Sequence, residues 1–177
     1  MPPRTDSFDL EGLRLTSGEG RRLELGVALG SLEMGGERYP VTPPVVPVRL
    51  DVSRTTGQGY AMRIRFSAGL EGPCMRCLEP AAPVFDVDAR EISQPGEVDE
   101  LDSPYIVGGV LDLAAWAHDA LALMLPATLL CRPDCAGLCP VCGENLNLAR
   151  PDHQHEPSLD PRWAKLSEIR FEPPATG

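Results

Sequence analysis

The chain has 177 residues and a formal net charge of −10 at pH 7. This length allows one domain with a small appended module, and the acidic balance disfavours an autonomous nucleic-acid binder because it repels phosphate at long range. The 19 prolines and 17 glycines predict many turns and few long helices.

The beginning of the chain and its most apolar stretch bear on location. The first residues, MPPRTDSFDLEGLRL, contain no basic segment followed by the apolar core that a secretory signal needs. The apolar stretch LDLAAWAHDALALMLPATLL is interrupted by Asp112, His118, Asp119 and Pro126, which would be costly in a bilayer. We therefore expect a cytoplasmic protein, and in a reducing cytosol its six cysteines indicate metal ligands more readily than disulfides.

Four segments in the first half of the chain alternate apolar and polar residues, which predicts β-strands. They read RRLELGVAL, VVPVRLDVSRT, YAMRIRFSAGL and PVFDVDAREI, and TTGQG between the second and third predicts a hairpin turn. In MRIRF the alternation places Arg63 and Arg65 on one face and Met62, Ile64 and Phe66 on the other. One face of the sheet is therefore expected to pack and the other to be solvated and cationic.

A loop and a helix follow the predicted strands. The acidic segment SQPGEVDELDSP, residues 93–104, has no periodicity and predicts an exposed loop. Asp112 is then a good N-cap for a helix that Pro126 ends. Apolar residues recur at helical spacing between them, namely Leu113, Trp116, Ala117, Ala120, Leu121 and Met124. The predicted class is α+β, with an antiparallel β-rich domain over residues 1–130 covered by one main helix near residues 112–125, and a zinc-binding Cys/His tail over residues 131–177 packed on the same domain.

The cysteines occur in three closely spaced pairs. They are Cys74 and Cys77 in PCMRCLEP, Cys131 and Cys135 in CRPDC, and Cys139 and Cys142 in LCPVCG. A CxxC turn directs two sulfurs towards a common point, and a glycine directly after the second cysteine lets the backbone fold beneath a metal. Gly143 occupies that position in the third pair, which makes it a strong metal-binding signal.

Ligand counting favours two zinc ions, because a structural zinc takes four ligands and the histidines of HQH raise the candidates to eight. The preferred partition places Cys74, Cys77, Cys131 and Cys135 on one ion and Cys139, Cys142, His153 and His155 on a second. It would close the long loop between Cys77 and Cys131. In the alternative, one zinc is held by Cys131, Cys135, Cys139 and Cys142. The histidines of HQH need an irregular loop after Pro151 to converge, because HxH is a less common ligand pair than the HxxxH of helices.

Redox and catalytic interpretations of the cysteines are weaker. A redox CxxC lies at the start of a helix, whereas Pro80 and Pro83 follow Cys77 within a few residues. The HxE motif that precedes PCxxC in zinc deaminases and the HExxH motif of metalloproteases are both missing from the sequence. The sequence therefore predicts structural zinc.

In their order, these motifs resemble the YceD-like family of large ribosomal RNA subunit accumulation proteins. The matching text is CMRC, LALMLPATLLC and CRPDCAGLCPVCGENLN, with DPRWAKL near the end, and the resemblance covers roughly residues 20 to 170. It implies a non-enzymatic cytoplasmic protein that large-subunit ribosomal RNA needs in order to accumulate. Some family members have CxC where this chain has HQH, a departure that is compatible with one site because imidazole can replace thiolate on zinc.

Charge suggests the kind of partner. From Asp86 to Asp119 nine acidic residues occur with one arginine, Arg90, which predicts a surface for a basic ribosomal protein or a pre-ribosomal particle. Between Arg49 and Arg76 five arginines occur with two acidic residues, so direct RNA contact, if any, is expected at Arg63, Arg65 and Arg76. Two other functions stay open, a zinc-dependent RNA-processing enzyme and a zinc-ribbon regulator.

Overall fold

A computed structural model describes residues 4–57, 59–94 and 102–155. In these ranges it contains eleven strands, one α-helix and a single 3-10 turn at Glu11–Leu13. The strands are β1 (Ser7–Asp9), β2 (Gly20–Val27), β3 (Ser31–Met34), β4 (Glu37–Thr42), β5 (Val46–Arg54), β6 (Tyr60–Leu70), β7 (Gly72–Pro73), β8 (Pro80–Ala81), β9 (Val84–Ser93), β10 (Ile106–Val107) and β11 (Val110–Asp112), and the helix is α1 (Leu113–Met124).

The main sheet is antiparallel and is built around β6. One edge of β6 pairs with β5 and then, at its end, with β4, while β9 pairs along the other edge from Tyr60↔Ser93 to Gly69↔Val84. β2 extends the sheet beyond β5, and β3 extends it beyond β4. A smaller sheet has the order β1-β11-β10, and β7 pairs with β8 as a separate hairpin. The predicted fold class, β-rich with one main helix, is confirmed.

Alternation along the strands separates the core from the solvent face. Met62, Ile64 and Phe66 are buried, whereas Arg63 and Arg65 lie on the other face and are half-buried. The predicted turn after β5 is also present, since the N–H of Thr55 donates to the carbonyl of Gly59 at 3.0 Å. The period-2 pattern therefore predicted the packed face of β6.

Helix α1 covers the core much as its periodicity predicts. The side chain of Asp112 caps it by accepting a hydrogen bond from the N–H of Ala115 at 2.9 Å. Trp116 and Leu121 are buried with the rest of its apolar stripe. Met124 is a correction, because it was expected in that stripe but is 50% exposed. Burial ends with Leu121, so the last turn of α1 lies beyond the packed part of the helix.

The short β7–β8 hairpin is fixed to the core at its base. Tyr39 is buried and its hydroxyl donates to the carbonyl of Pro73 at 2.9 Å. A Cβ atom at Gly72 would lie 2.3 Å from the Tyr39 ring, so this close approach requires glycine. These contacts therefore fix the orientation of the β7–β8 hairpin relative to the core.

Parts of two predictions lie outside the described residues. They are residues 95–101 of the predicted acidic loop and residues 156–177 of the predicted tail. In the part of the chain that the structure describes, no helix combines the length and the apolar character needed to cross a bilayer.

Candidate metal centres

The loop of the β7–β8 hairpin carries the first pair of cysteines. The N–H of Cys74 donates to the carbonyl of Glu79 at 2.8 Å, and the N–H of Leu78 donates to the carbonyl of Cys74 at 2.9 Å. These bonds fold the loop into a tight turn that directs Cys74 and Cys77 towards the same point. The turn needs a left-handed residue directly after the second cysteine, and Leu78 supplies it with φ of +63°.

The segment after α1 brings the second pair to this loop. The N–H of Met75 donates to the carbonyl of Leu129 at 2.9 Å, and the N–H of Leu138 donates to the carbonyl of Arg76 at 3.1 Å. Leu129 precedes Cys131 and Leu138 follows Cys135, so the chain is held against the hairpin loop on both sides of this pair.

The four sulfurs converge with the spacing that one metal ion would require. The Sγ atoms of Cys74 and Cys135 are 3.8 Å apart, and those of Cys77 and Cys131 are 3.6 Å apart. All four lie within 4.8 Å of one another. Sulfurs about 2.3 Å from a shared tetrahedral zinc would be about 3.8 Å apart. We call these residues the first centre; Cys131 is exposed and the other three are buried.

Electrostatics in the first centre favour a bound cation. Burial raises the pKa of Cys74, but hydrogen bonds from the N–H groups of Arg76 and Cys77 outweigh it and lower the pKa to about 6. Desolvation of its sulfur by the neighbouring protein, followed by the thiols of Cys77 and Cys135, raises the pKa of Cys131 to about 12. The protein alone thus stabilises some thiolates at the expense of others. A divalent cation would offset the repulsion between neighbouring thiolates and allow all four cysteines to ionise.

The third pair forms the same turn. The N–H of Cys139 donates to the carbonyl of Glu144 at 2.8 Å, and the N–H of Gly143 donates to the carbonyl of Cys139 at 2.9 Å. Gly143 has φ of +76°, a conformation that glycine adopts without strain. The spacing CPVCG therefore predicted the local backbone turn.

Two histidines complete a second group, formed by Cys139, Cys142, His153 and His155, which we call the second centre. The Sγ of Cys142 is 3.7 Å from Nε2 of His153, and that nitrogen is 3.1 Å from Nε2 of His155. The four potential ligand atoms lie within 4.8 Å of one another. Residues 153–155 have no regular secondary structure, so the irregular loop that HQH requires is present.

Glu144 orients His153 for this role. Its Oε2 is 2.9 Å from Nδ1 of His153, which leaves Nε2 directed at the cysteines. A carboxylate on the outer nitrogen of a ligating histidine fixes both the tautomer and the ring orientation. The hydrogen bond to Cys139 raises the pKa of His153, and the same bond is the largest of the effects that lower the pKa of Cys139 to about 6.

The structure therefore groups all eight predicted ligands as in the preferred partition. Among the described residues, the four-cysteine alternative is not assembled, because Cys131 and Cys135 lie with Cys74 and Cys77. Sequence reasoning missed two polar residues, Asn145 and Asn147, that line a cleft beside the first centre. The Nδ2 of Asn147 donates to Sγ of Cys135 at 3.4 Å. Their only signal was the ENLN text after CPVCG, which entered the family resemblance without a role.

The three arginines proposed for RNA contact do not form one patch. Arg63 donates through Nε to Asp88 at 2.6 Å, and a second bond between these side chains makes the pair bidentate. Arg65 donates to Asp51 at 2.7 Å. Arg76 lies apart from both in the hairpin loop, where it is exposed and 3.4 Å from the carbonyl of Ala136. RNA contact stays a prediction.

Several carboxylates of the predicted acidic surface have partners within the protein. Asp86 accepts from the hydroxyl of Ser67, and Asp119 accepts from the hydroxyl of Tyr105 at 3.1 Å. Both aspartates are nevertheless exposed. Three other acidic residues of the stretch, Glu97, Asp99 and Glu100, lie outside the described residues, so the acidic surface stays a prediction.

Fold and centres together define a β-rich protein with one main helix and two Cys/His groups that could hold metal ions. The chain belongs to the family described as "Large ribosomal RNA subunit accumulation protein YceD", whose model matches residues 62–170. This match confirms the resemblance seen in the sequence, and it contains all eight residues of the two centres.

Similar proteins occur in mycobacteria. An uncharacterized protein of Mycobacterium tuberculosis (strain H37Rv) is 38% identical over 121 residues, which is 65% of this chain and 58% of the relative. An uncharacterized protein of Mycobacterium leprae is 30% identical over 130 residues, 70% of this chain and 59% of the relative. The chain thus covers less than two thirds of these relatives. No solved structure matches it.

Proposed function

We propose that this chain is a non-catalytic, cytoplasmic ribosome biogenesis factor that supports the accumulation of large-subunit ribosomal RNA. It would do so by binding a basic ribosomal protein or a pre-ribosomal particle. The observation that carries the proposal is the family match over residues 62–170, because the description of that family indicates a role in large-subunit RNA accumulation.

The second part of the proposal is that each centre holds one zinc ion with a structural role. Four thiolates, or two thiolates and two imidazoles, are ligand sets typical of structural zinc. Each centre offers four ligand atoms, which would close a tetrahedral shell and leave no position for a catalytic water. This ligand count supports a binding factor over a zinc-dependent RNA-processing enzyme.

Charge supports a basic protein as the direct partner. The chain has a net charge of −10, so it would attract a basic surface and repel RNA at long range. Arg63 and Arg65 already pair with Asp88 and Asp51, so using them for phosphate would mean breaking ion pairs on the sheet face. These pairs also weigh against the zinc-ribbon regulator, which would need selective DNA binding.

A cellular experiment tests the role. Cells depleted of the protein should show a lower ratio of large-subunit to small-subunit ribosomal RNA, and the full chain should restore that ratio. A chain with Cys77→Ser should restore it poorly, while Leu123→Ala, at a residue that is 86% exposed on α1, serves as the matched control. An unchanged ratio in depleted cells would remove the proposed role.

A binding experiment tests the partner and the metal. Native mass spectrometry of the full chain, purified without chelator, should show two zinc ions. The immobilised chain should retain purified basic large-subunit ribosomal proteins after nuclease treatment. Retention that disappears with nuclease would indicate RNA as the partner, and cleavage of RNA by the zinc-loaded chain alone would indicate the enzyme.

A further inference from the structure

We propose that residues 144–147, which read ENLN, couple the two centres so that metal binding at one raises the affinity of the other. Glu144 and Asn147 act as positioning residues for the second and first centres, respectively. This proposal rests on the metal binding proposed above and is independent of the ribosomal partner.

Asn147 connects the segment to the first centre through both ends of its amide. Its Nδ2 donates to Sγ of Cys135 at 3.4 Å. Its Oδ1 accepts from the N–H of Ala136 at 2.8 Å and from Nη2 of Arg132 at 2.7 Å. One side chain therefore holds the Cys135 sulfur and the backbone next to it.

Glu144 connects the same segment to the second centre. Its carbonyl accepts from the N–H of Cys139 at 2.8 Å, and its carboxylate lies 2.9 Å from Nδ1 of His153. It therefore contacts two of the four potential ligand residues of the second centre, one through the backbone and one through the side chain.

A short ladder joins these two contacts. Residues 135–139 run from a ligand of the first centre to a ligand of the second, and they lie antiparallel to residues 144–147. Leu138 pairs with Asn145, and the N–H of Leu146 donates to the carbonyl of Gly137 at 2.9 Å. Oδ1 of Asn145 accepts from Nδ2 of Asn147 at 2.8 Å, which links the two polar side chains.

The ladder gives a physical reason for coupling. Two strands this short have little stability of their own, because a few hydrogen bonds do not offset the entropy of ordering the chain. A metal at either centre would order one end of the ladder and hence the whole of it. Metal binding at the other end would then carry less of the ordering cost, which is positive cooperativity.

The experiment uses the full chain, freed of metal under reducing conditions and titrated with Co²⁺. A centre of four thiolates and a centre of two thiolates and two imidazoles give different Co²⁺ absorption bands, so the two affinities can be read separately, and native mass spectrometry counts the ions. Asn147→Leu should lower the affinity of the second centre about fivefold or more, although Asn147 contacts none of its ligands. Leu148→Ala, at the adjacent 80% exposed residue, is the matched control and should change this affinity less than about twofold.

Two variants at exposed ligands close the thermodynamic cycle. Cys131→Ser, which disables the first centre, should also weaken the second, and Asn147→Leu should then have no further effect on it. His155→Ala should weaken the first centre by the same factor, since coupling of binding free energies is reciprocal. Far-ultraviolet circular dichroism and tryptophan fluorescence report whether each variant is folded.

The outcomes separate the coupling from the proposed function. If both centres load in the wild-type chain but the affinity of the second centre is unchanged by Asn147→Leu and by Cys131→Ser, the coupling is overturned and the zinc proposal stays intact. A folded wild-type chain that takes up neither Co²⁺ nor Zn²⁺ would overturn both. If Cys131→Ser does not fold, the reciprocal His155→Ala titration decides the question.

Discussion

The two centres are built on the same backbone turn but differ in their surroundings. In each, the N–H of the first cysteine donates to the carbonyl five residues on, and the N–H four residues on donates back to that cysteine. The first turn is the loop of a hairpin fixed to the core, and Cys74 and Cys77 are buried. The second lies in the tail, where Cys142 and His155 are exposed.

The CxxC spacing determines ligand geometry locally, whereas contacts with residues distant in sequence determine how deeply each centre is buried. Tyr39 and Gly72 hold the first hairpin, and Leu129 and Leu138 hold the tail against it. The second turn depends on Glu144 and the ladder. The first centre should therefore contribute more to stability and exchange metal more slowly than the second.

The first prediction compares the loss of one ligand from each centre, and the largest effect is expected at the first centre. Cys77→Ser should lower the free energy of unfolding by about 3–5 kcal/mol, because it leaves buried thiols without the metal that compensates them. Cys142→Ser, at an exposed ligand, should cost about 1 kcal/mol. Urea unfolding followed by tryptophan fluorescence measures both changes, with metal content determined in parallel. Equal losses would contradict the proposed difference between the centres.

The second prediction compares one glycine from each region. Gly72→Ala should cost about 2–3 kcal/mol and weaken the first centre, because the new Cβ would meet the buried Tyr39 ring at 2.3 Å. A Cβ atom at Gly143 would have no neighbour within 4 Å, so Gly143→Ala should lower stability only by the roughly 1 kcal/mol that a left-handed alanine costs. Denaturation midpoints give the order, and Gly30→Ala, also left-handed and open, controls for the backbone cost. A larger loss of stability in Gly143→Ala than in Gly72→Ala would contradict this prediction.

The sequence predicted those features of the fold and of the centres that depend on local spacing. The pairs around Cys74 and Cys139, together with a ligand count of four per ion, led to the grouping that the structure assembles. The period-2 pattern likewise predicted β6 and its buried face. These signals are local, since each depends on residues a few positions apart.

Long-range contacts had no comparable signal. The bond from Asn147 to Cys135 joins residues 12 apart through a side chain that is equally common in turns. The left-handed Leu78 was hidden because glycine is the residue that normally marks such a position. Strands β3 and β4 were also missed, since glycines and prolines interrupt the text SLEMGGERYPVTPP that forms them.

The third prediction concerns metal removal. With a chromophoric chelator in excess, the zinc-loaded chain should release its ions in two phases, the second centre at least about tenfold faster than the first. The reason is access, because Cys142 and His155 are exposed, whereas the first centre presents only Cys131 to solvent. Native mass spectrometry during the reaction should detect a species with one zinc. His155→Ala should remove the fast phase, and loss of the slow phase in that variant would contradict the assignment.

The last prediction, which has the smallest expected effect, concerns the residue directly after the second cysteine of each turn. This residue is a leucine in the first turn and a glycine in the second. Leu78 holds the left-handed conformation that Gly143 holds without strain, and it is 67% exposed, so little packing offsets the roughly 1 kcal/mol cost. Leu78→Asn should therefore stabilise the chain by about 0.5 kcal/mol, because asparagine tolerates this conformation better. Leu78→Gly should gain less, since glycine also increases the entropy of the unfolded chain. Thermal unfolding of the zinc-loaded variants measures both, with Val84→Asn, at another exposed apolar residue, controlling for the change in surface polarity. A loss of stability in Leu78→Asn would show that the leucine side chain makes a contact worth more than the strain of its backbone.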